Sequence, residues 1–356
     1  MNFNVPLLKP IRILLFPFSL LYALAIYLRN FLYDKKIFSS TTFNLPLISI
    51  GNLSVGGTGK SPMVEWLVRQ LRNDYKIAIL SRGYKRKTKG YALANASSTA
   101  LEIGDEPMQF HMKFPDVSVA VGEERIVAIP QLLHDKPDTQ AILLDDGFQH
   151  RAIQPGFNIL LTDYNNLYTR DWFLPTGDLR DEPRSCRRAD VIMVTKCPRD
   201  LSATEKESIR KEIAPLPKQH LYFTTIDYGE PYHIIHRYHT HISEEYEVLL
   251  VTGIANPRSL KQFLLEQTKT YYEVSYSDHH IFSIDDLREI KKKFEAITAE
   301  KKIIVTTEKD AVRLVKFENE LKDLPVFVLP IGHHFLNGEA QSFLHLIITF
   351  IKTFKR

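Results

Sequence analysis

The segment Ser54-Val55-Gly56-Gly57-Thr58-Gly59-Lys60-Ser61 carries the most specific chemistry in the chain. It follows an apolar run, residues 45–50, and precedes a helix-period stretch, residues 62–72. That is the strand–loop–helix setting of a phosphate-binding P-loop. Glycines at this spacing let main-chain N–H groups turn inward around phosphate oxygens. The helix N-terminus behind them adds a favourable dipole. Lys60 would reach the β- and γ-phosphates, and the Ser61 hydroxyl would bind Mg²⁺. One position departs from the G-x-x-x-x-G-K-[ST] pattern, because Ser54 stands where the first glycine belongs.

A second signal is Ala141-Ile142-Leu143-Leu144-Asp145-Asp146-Gly147-Phe148-Gln149-His150, an apolar strand that ends in paired carboxylates. In a parallel sheet such a strand end lies beside the P-loop, where Asp145 or Asp146 can hold Mg²⁺ directly or through water. Two further segments are weak alone: Gly104-Asp105-Glu106-Pro107, which also suits a helix-start turn, and Ser81-Arg82-Gly83-Tyr84-Lys85-Arg86-Lys87, which also suits a solvated loop. Loops that follow successive parallel strands converge on one crevice, and this gives both segments a reason to be near the phosphates.

The elements needed to position these residues are legible as alternating runs. Strands are expected at 45–50, 76–80, 117–121, 141–145, 158–162 and 190–195, with helices between them, for example at 62–72 and 123–133. Apolar strands separated by helices indicate a mostly parallel sheet flanked by helices on both faces. Residues 221–247 change to an aromatic-rich alternating pattern with a turn at Tyr228-Gly229-Glu230-Pro231, which predicts an antiparallel β-ribbon between two domains. Alternation of strand and helix then resumes to residue 329, and 339–354 reads as a closing helix. The expected organisation is an N-terminal anchor at 1–36, a P-loop core at 37–218, a smaller second α/β domain with its ribbon at 219–335, and a C-terminal helix at 336–356 packing back on the core.

The chain has 356 residues with 46 Lys+Arg against 42 Asp+Glu. Five basic residues and one acid fall in residues 1–36, so the remaining body is balanced. A balanced body takes the easiest support from nucleic-acid binding, which normally needs a basic face on the folded domain. Two cysteines, Cys186 and Cys197, exclude a disulfide scaffold and point to reduced thiols. Residues 13–28 are sixteen uncharged residues flanked by Arg12 and Arg29. As a helix they span roughly 24 Å, short of a hydrocarbon core of about 30 Å. No small-x-small cleavage site follows. With Tyr22, Tyr27 and Tyr33 suited to a headgroup interface, the segment reads as an uncleaved anchor that dips into or barely crosses one leaflet; a buried core helix is the alternative. The basic flanks favour the anionic cytoplasmic face.

Taken together, Ser54 to Ser61 with Pro62, Ser-Arg-Gly-Tyr, Gly-Asp-Glu-Pro, Leu-Asp-Asp-Gly-Phe-Gln-His, Leu174-Pro175-Thr176-Gly177-Asp178-Leu179-Arg180 and Asp278-His279-His280 resemble the tetraacyldisaccharide 4′-kinases, the lipid A 4′-kinases of Gram-negative bacteria. The resemblance spans nearly the whole chain, and that family also lacks the first P-loop glycine. It implies transfer of the ATP γ-phosphate to the 4′-hydroxyl of a tetraacyl glucosamine disaccharide 1-phosphate, the lipid A precursor, at the cytoplasmic face of the inner membrane. It implies Asp105 as the base for the sugar hydroxyl, His279 (or its neighbour His280) as the residue that orients it, and Arg180 beside the γ-phosphate. In place of the family's usual Glu after that arginine stand Asp181 and then Glu182. ATP and Mg²⁺ are the implied cofactors, and no nucleic-acid or obligate protein partner is evident. Two rival readings remain at this level: a soluble P-loop kinase for a small metabolite, and a membrane-attached nucleotide switch, for which no Asn-Lys-x-Asp motif is present. The segments Val305-Thr306-Thr307-Glu308-Lys309-Asp310 and Gly253-Ile254-Ala255-Asn256-Pro257 suit either nucleotide-base contact or domain packing. The histidines at 233, 236, 239 and 241 would scatter over both faces of a ribbon, a poor arrangement for a metal.

Overall fold

The computed structural model describes residues 9–354. In chain order its strands are β1 (Leu47–Asn52), β2 (Ile77–Ser81), β3 (Ala92–Leu93), β4 (Ser118–Val121), β5 (Ala141–Asp145), β6 (Phe157–Asp163), β7 (Val191–Thr195), β8 (His220–Tyr228), β9 (Tyr232–His233), β10 (Glu247–Thr252), β11 (Thr270–Ser275), β12 (Lys302–Thr307), β13 (Val326–Leu329) and β14 (Ile331–Phe335). The large sheet runs β14-β8-β7-β6-β1-β5-β2-β4-β3. Its interior pairs are parallel, and only the edge strands β14 and β3 are antiparallel to their neighbours. Strands β1, β2, β5 and β7 are buried along their full length, as apolar strands covered on both faces must be. Period-two alternation divides β1 between two cores. Ile48 and Ile50 pack with Leu67, Phe343 and Ile347, whereas Leu47 packs with Leu80, Ala120 and Ile129. The closing helix Ala340–Thr353 thus contributes to the core that holds the P-loop helix Lys60–Leu71.

This strand order positions the chemistry. Because β5 lies between β1 and β2, the loops leaving β1 (P-loop), β5 (acid pair) and β2 (Ser-Arg-Gly-Tyr) emerge side by side at one sheet edge.

A second sheet, β11-β10-β12-β13-β9, is parallel except for the two-residue strand β9. The connection between the sheets differs from the ribbon expected at 221–247. Residues 220–228 form β8, which pairs parallel with β7 and antiparallel with β14. The antiparallel ladder is therefore built from two strands about a hundred residues apart, with Ile331 opposite Tyr228 and Phe335 opposite Thr224. Residues 220–228 and 331–335, which the sequence assigns to the second unit, are strands of the large sheet, so the chain leaves and re-enters it through adjacent strands. Leu221 to Thr225 are buried consecutively, as in a strand covered on both faces and not in a ribbon with one face in solvent.

The N-terminal segment forms two helices, Lys9–Leu14 and Phe16–Asp34, broken at Leu15. Pro17 falls in the first turn of the second helix, where a missing N–H costs nothing. Residues 1–8 of the expected anchor lie outside the described residues. The helix is not a core helix. It presents Ser19, Ala23 and Asn30 to the protein and turns Phe18, Leu21, Leu24, Leu28 and Phe31 outward, with Leu21 and Leu24 each 65% exposed. Polar contacts hold it: Ser19 Oγ donates to the Phe173 carbonyl at 2.7 Å, Tyr22 to the Arg180 carbonyl at 3.1 Å, and Arg12 to Asp178 at 2.8 Å. Among the described residues no helix is long and apolar enough to cross a membrane.

Candidate active site

The P-loop is shaped from several directions. Asn52, the last residue of β1, donates from Nδ2 to Thr58 Oγ1 at 2.9 Å. Thr195, ending β7, donates to the Thr58 carbonyl at 2.9 Å. Val55 N–H donates to the Asp178 carbonyl at 2.7 Å, so the 174–180 segment braces the front of the loop. Gly59 has φ +88°, a left-handed conformation that side-chain-bearing residues avoid. A Cβ there would also lie 2.8 Å from the His333 ring. His333 Nε2 donates to the Gly59 carbonyl at 2.8 Å, while its Nδ1 accepts from Thr224 Oγ1 at 2.9 Å. Burial pushes the His333 imidazole down to about 4, which keeps it neutral in this relay. Neither Asn52 nor His333 was singled out in the sequence. An asparagine closing an otherwise apolar strand is a usable signal; His333 has none, because β14 brings it from 274 residues away.

Lys60 and the acid pair form one charged cage. Lys60 Nζ lies 3.6 Å from Asp146 Oδ1. Arg180 grips Asp146 in a fork, Nη1 to Oδ2 at 2.8 Å and Nη2 to Oδ1, and Nη2 also donates to Asn52 Oδ1. Burial alone would raise Asp146, but Lys60 and Arg180 hold its carboxyl far below the usual range. Its neighbour goes the other way: burial, then the charges of Asp146 and Glu106, push Asp145 up to about 6, although Ser81 Oγ donates to it at 2.9 Å. Burial also lowers the Lys60 ammonium. The two adjacent carboxylates, Asp145 and Asp146, offer hard oxygen donors, which suit Mg²⁺ when phosphates and water supply its remaining ligands. Among the described residues no group of three His, Cys, Asp or Glu could hold a metal alone, the histidines near 233–241 included.

Asp105 opens the helix Asp105–Lys113, where the helix dipole favours its charge. The turn before it is exact in its packing: a Cβ on Gly104 would lie 3.1 Å from Gly83 Cα, so the Gly-Asp-Glu-Pro and Ser-Arg-Gly-Tyr segments interlock backbone against backbone. Opposite stands His279, whose Nδ1 is 2.8 Å from Asp105 Oδ2. Burial would raise Asp105, but the His279 hydrogen bond, with Arg313 and Lys309 behind it, gives a net lowering. Glu106 lies near enough to Lys60 and Asp145 to bias both, which joins this pair to the phosphate recess. Tyr84, 59% exposed, sets its ring 5.7 Å from that of His279.

The geometry distinguishes the two histidines. His280 Nε2 contacts Asp286 at 3.0 Å and its ring stacks on Tyr276, so it is engaged within its own sheet. Asp181 and Glu182 also turn away from the loop. Both accept from Asn30 Nδ2 of the N-terminal helix, at 2.9 and 2.7 Å, and Arg188 contacts Asp181 at 3.0 Å. Arg86 of the basic run faces inward to Glu123. The segments around 253 and 310 meet each other: Gly253 N–H donates to Asp310 Oδ2 at 3.0 Å, and the Gly253 carbonyl accepts from His279 N–H at 3.2 Å. Their position supports packing around His279. Arg313, unremarked in the sequence, donates to Asp310 at 2.9 Å and to the His280 carbonyl at 2.9 Å, and its Nε lies 3.5 Å from Asp105.

A parallel sheet with a P-loop after its central strand, a carboxylate pair on the next strand and an acid–histidine pair facing them defines a P-loop phosphotransferase. The chain belongs to the tetraacyldisaccharide-1-P 4′-kinase family, whose model matches residues 11–351. It is similar to proteins named tetraacyldisaccharide 4′-kinase from Flavobacterium johnsoniae (45% identity, 96% of this chain and 98% of that one). The same name is carried by relatives from Bacteroides thetaiotaomicron (42%, 95% and 93%) and Phocaeicola vulgatus (41%, 95% and 94%). A solved structure of LpxK from Aquifex aeolicus in complex with ATP superimposes with a TM-score of 0.74 at 29% identity, covering 96% of this chain and 99% of that chain.

Proposed function

We propose that this kinase transfers the γ-phosphate of ATP to the 4′-hydroxyl of a tetraacyldisaccharide 1-phosphate, with Asp105 taking the hydroxyl proton as the oxygen attacks the γ-phosphorus and ADP departs. The observation that carries the reading is the Asp105–His279 contact at 2.8 Å, made across 174 residues beside the recess of Lys60. Both close contacts to Asp105 fall on Oδ2, which directs Oδ1 toward an acceptor. On nucleotide binding, Lys60 and Arg180 exchange the Asp146 carboxylate for phosphate oxygens, and phosphoryl transfer then depends on positioning and charge neutralisation. The main-chain cradle from Ser54 to Gly59 (Ser54, Val55, Gly56, Gly57, Thr58 and Gly59) holds the phosphates. Ser61, Asp145 and Asp146 would hold Mg²⁺, which when bound neutralises charge on the β- and γ-phosphates.

The acceptor's acyl chains favour the bilayer by about 0.8 kcal/mol per buried CH₂, so the site must work at the membrane surface. The outward apolar face of helix Phe16–Asp34, extended by Trp172 at 59% exposure beside Phe16, supports docking to the cytoplasmic leaflet. Residues 9–36 would form this anchor, and the two sheets would act as two domains hinged where the chain leaves β8 and re-enters at β14. The test is transfer from labelled ATP to purified tetraacyldisaccharide 1-phosphate by wild type, Lys60→Ala and Asp105→Asn. Both variants should lose at least about a hundredfold in rate. Retained transfer in both sinks the site assignment.

A further inference from the structure

Helix Glu308–Leu314 of the second sheet carries two cations into the Asp105–His279 pair. Lys309 Nζ lies 3.4 Å from His279 Nε2 and 3.0 Å from Glu106 Oε1. We infer that Lys309 is a positioning residue for phosphoryl transfer: its ammonium meets the Nε2 lone pair and fixes His279 as the neutral ring with its proton on Nδ1, donated to Asp105. The inference rests on the proposed role of that pair.

The chemistry of an ammonium decides the tautomer. It has three donors and no acceptor, so it satisfies Nε2 only where that nitrogen is unprotonated. The single proton of the ring then sits on Nδ1, facing the Asp105 carboxylate. The groups around His279 are Asp105 and Glu106 from the helix Asp105–Lys113, Lys309 and Arg313 from the helix Glu308–Leu314, Asp278 beside it in the chain, and the Tyr84 ring. Only Asp278 opposes this arrangement, since its carboxylate, 3.7 Å from Nε2, favours a proton there. Asp278 is the more distant and the more exposed of the two, 40% against 28% for the Lys309 side chain. Lys309 is also held by Glu106, so it cannot swing away. Arg313 completes the arrangement, with its Nε 3.5 Å from the same Oδ2 that His279 contacts. The free oxygen of Asp105 is thereby aimed, and the pair is set only when helices from the two sheets are in register.

The experiment is kcat/KM against pH with ATP and tetraacyldisaccharide 1-phosphate in detergent micelles, for wild type, Lys309→Met and Lys309→Arg. Removing the cation takes away a charge that lowers Asp105, so the acidic limb of Lys309→Met should move upward by about one pH unit. Lys309→Arg should stay with wild type, and the KM for ATP should be unchanged in both. Imidazole-¹⁵N-labelled wild-type protein supplies a second measurement that does not depend on the Lys309 variants: His279, assigned by its missing signals in His279→Gln, should carry its proton on Nδ1. A Lys309→Met limb coincident with wild type, or a proton on Nε2, overturns the inference. Neither result touches the base assignment, which stands or falls separately with Asp105→Asn.

Discussion

Replacing Gly59 by alanine tests whether the P-loop is held from behind as well as by its own sequence. The new Cβ meets two obstacles. The backbone at φ +88° disfavours any L side chain, at a cost of roughly 1–2 kcal/mol. The methyl group would also sit 2.8 Å from His333 Cε1 and 2.9 Å from Nε2, and crowding a packed site of this kind costs about 1–3 kcal/mol. The ring cannot retreat freely, because Thr224 and the Gly59 carbonyl hold both its nitrogens. Gly59→Ala should therefore destabilise by roughly 2–5 kcal/mol, as the sum of those two ranges. In a His333→Ala background the crowding disappears and only the backbone cost of about 1–2 kcal/mol remains. Urea denaturation of wild type, both single variants and the double variant gives the coupling directly. Binding of a non-hydrolysable ATP analogue should follow the same order, weakest in Gly59→Ala. An equal penalty for Gly59→Ala in both backgrounds would refute the contact between β14 and the loop as its cause.

Four further outcomes are expected. Asn30→Leu removes the donor shared by the buried carboxylates of Asp181 and Glu182, and thermal or urea denaturation should show a loss of about 1–3 kcal/mol. Lys113 bridges Glu65 and Glu308, both buried, so Lys113→Met should cost about 3–5 kcal/mol. Burial, with the charge of Glu65, pushes Glu308 up to about 7. Between roughly pH 4.5 and 7 the folded protein keeps a proton that the unfolded chain has released, so this group's contribution to stability falls as pH rises through that window. Glu308→Gln should accordingly gain on wild type between pH 5 and pH 8; a constant difference would refute the assignment. Finally, Leu21→Glu, Leu24→Glu and Leu28→Glu replace outward apolar side chains, each worth about 1.5–3 kcal/mol on burial, so co-sedimentation with anionic vesicles should fall roughly tenfold or more per substitution. Undiminished binding would place the membrane contact elsewhere.

The chemistry of the P-loop was written locally, because a glycine-rich turn between an apolar strand and a helix needs only adjacent residues to form. The same holds for the strand bearing Asp145 and for the strand–helix alternation of both sheets, since burial on two faces imprints continuous apolar runs. The N-terminal helix was legible as an apolar segment, and its small and polar face, Ser19, Ala23 and Asn30, reads correctly only once its partner surface at 173–182 is known. What tertiary structure decided is which distant groups meet. Residues 221–228 joined the large sheet by pairing with β7, and β14 returned to pair with them, which brought His333 under Gly59. His279 was separated from His280 by a single backbone position at φ +61°, which turns one ring toward Asp105 and leaves the other stacked on Tyr276. From another helix Lys309 reached Glu106 and His279, and Arg313 reached the Asp105 carboxylate. Hydrogen bonds and ion pairs act over a few ångströms in space and leave no periodicity along the chain, so the sequence could name candidate groups while only the folded packing could say what holds them.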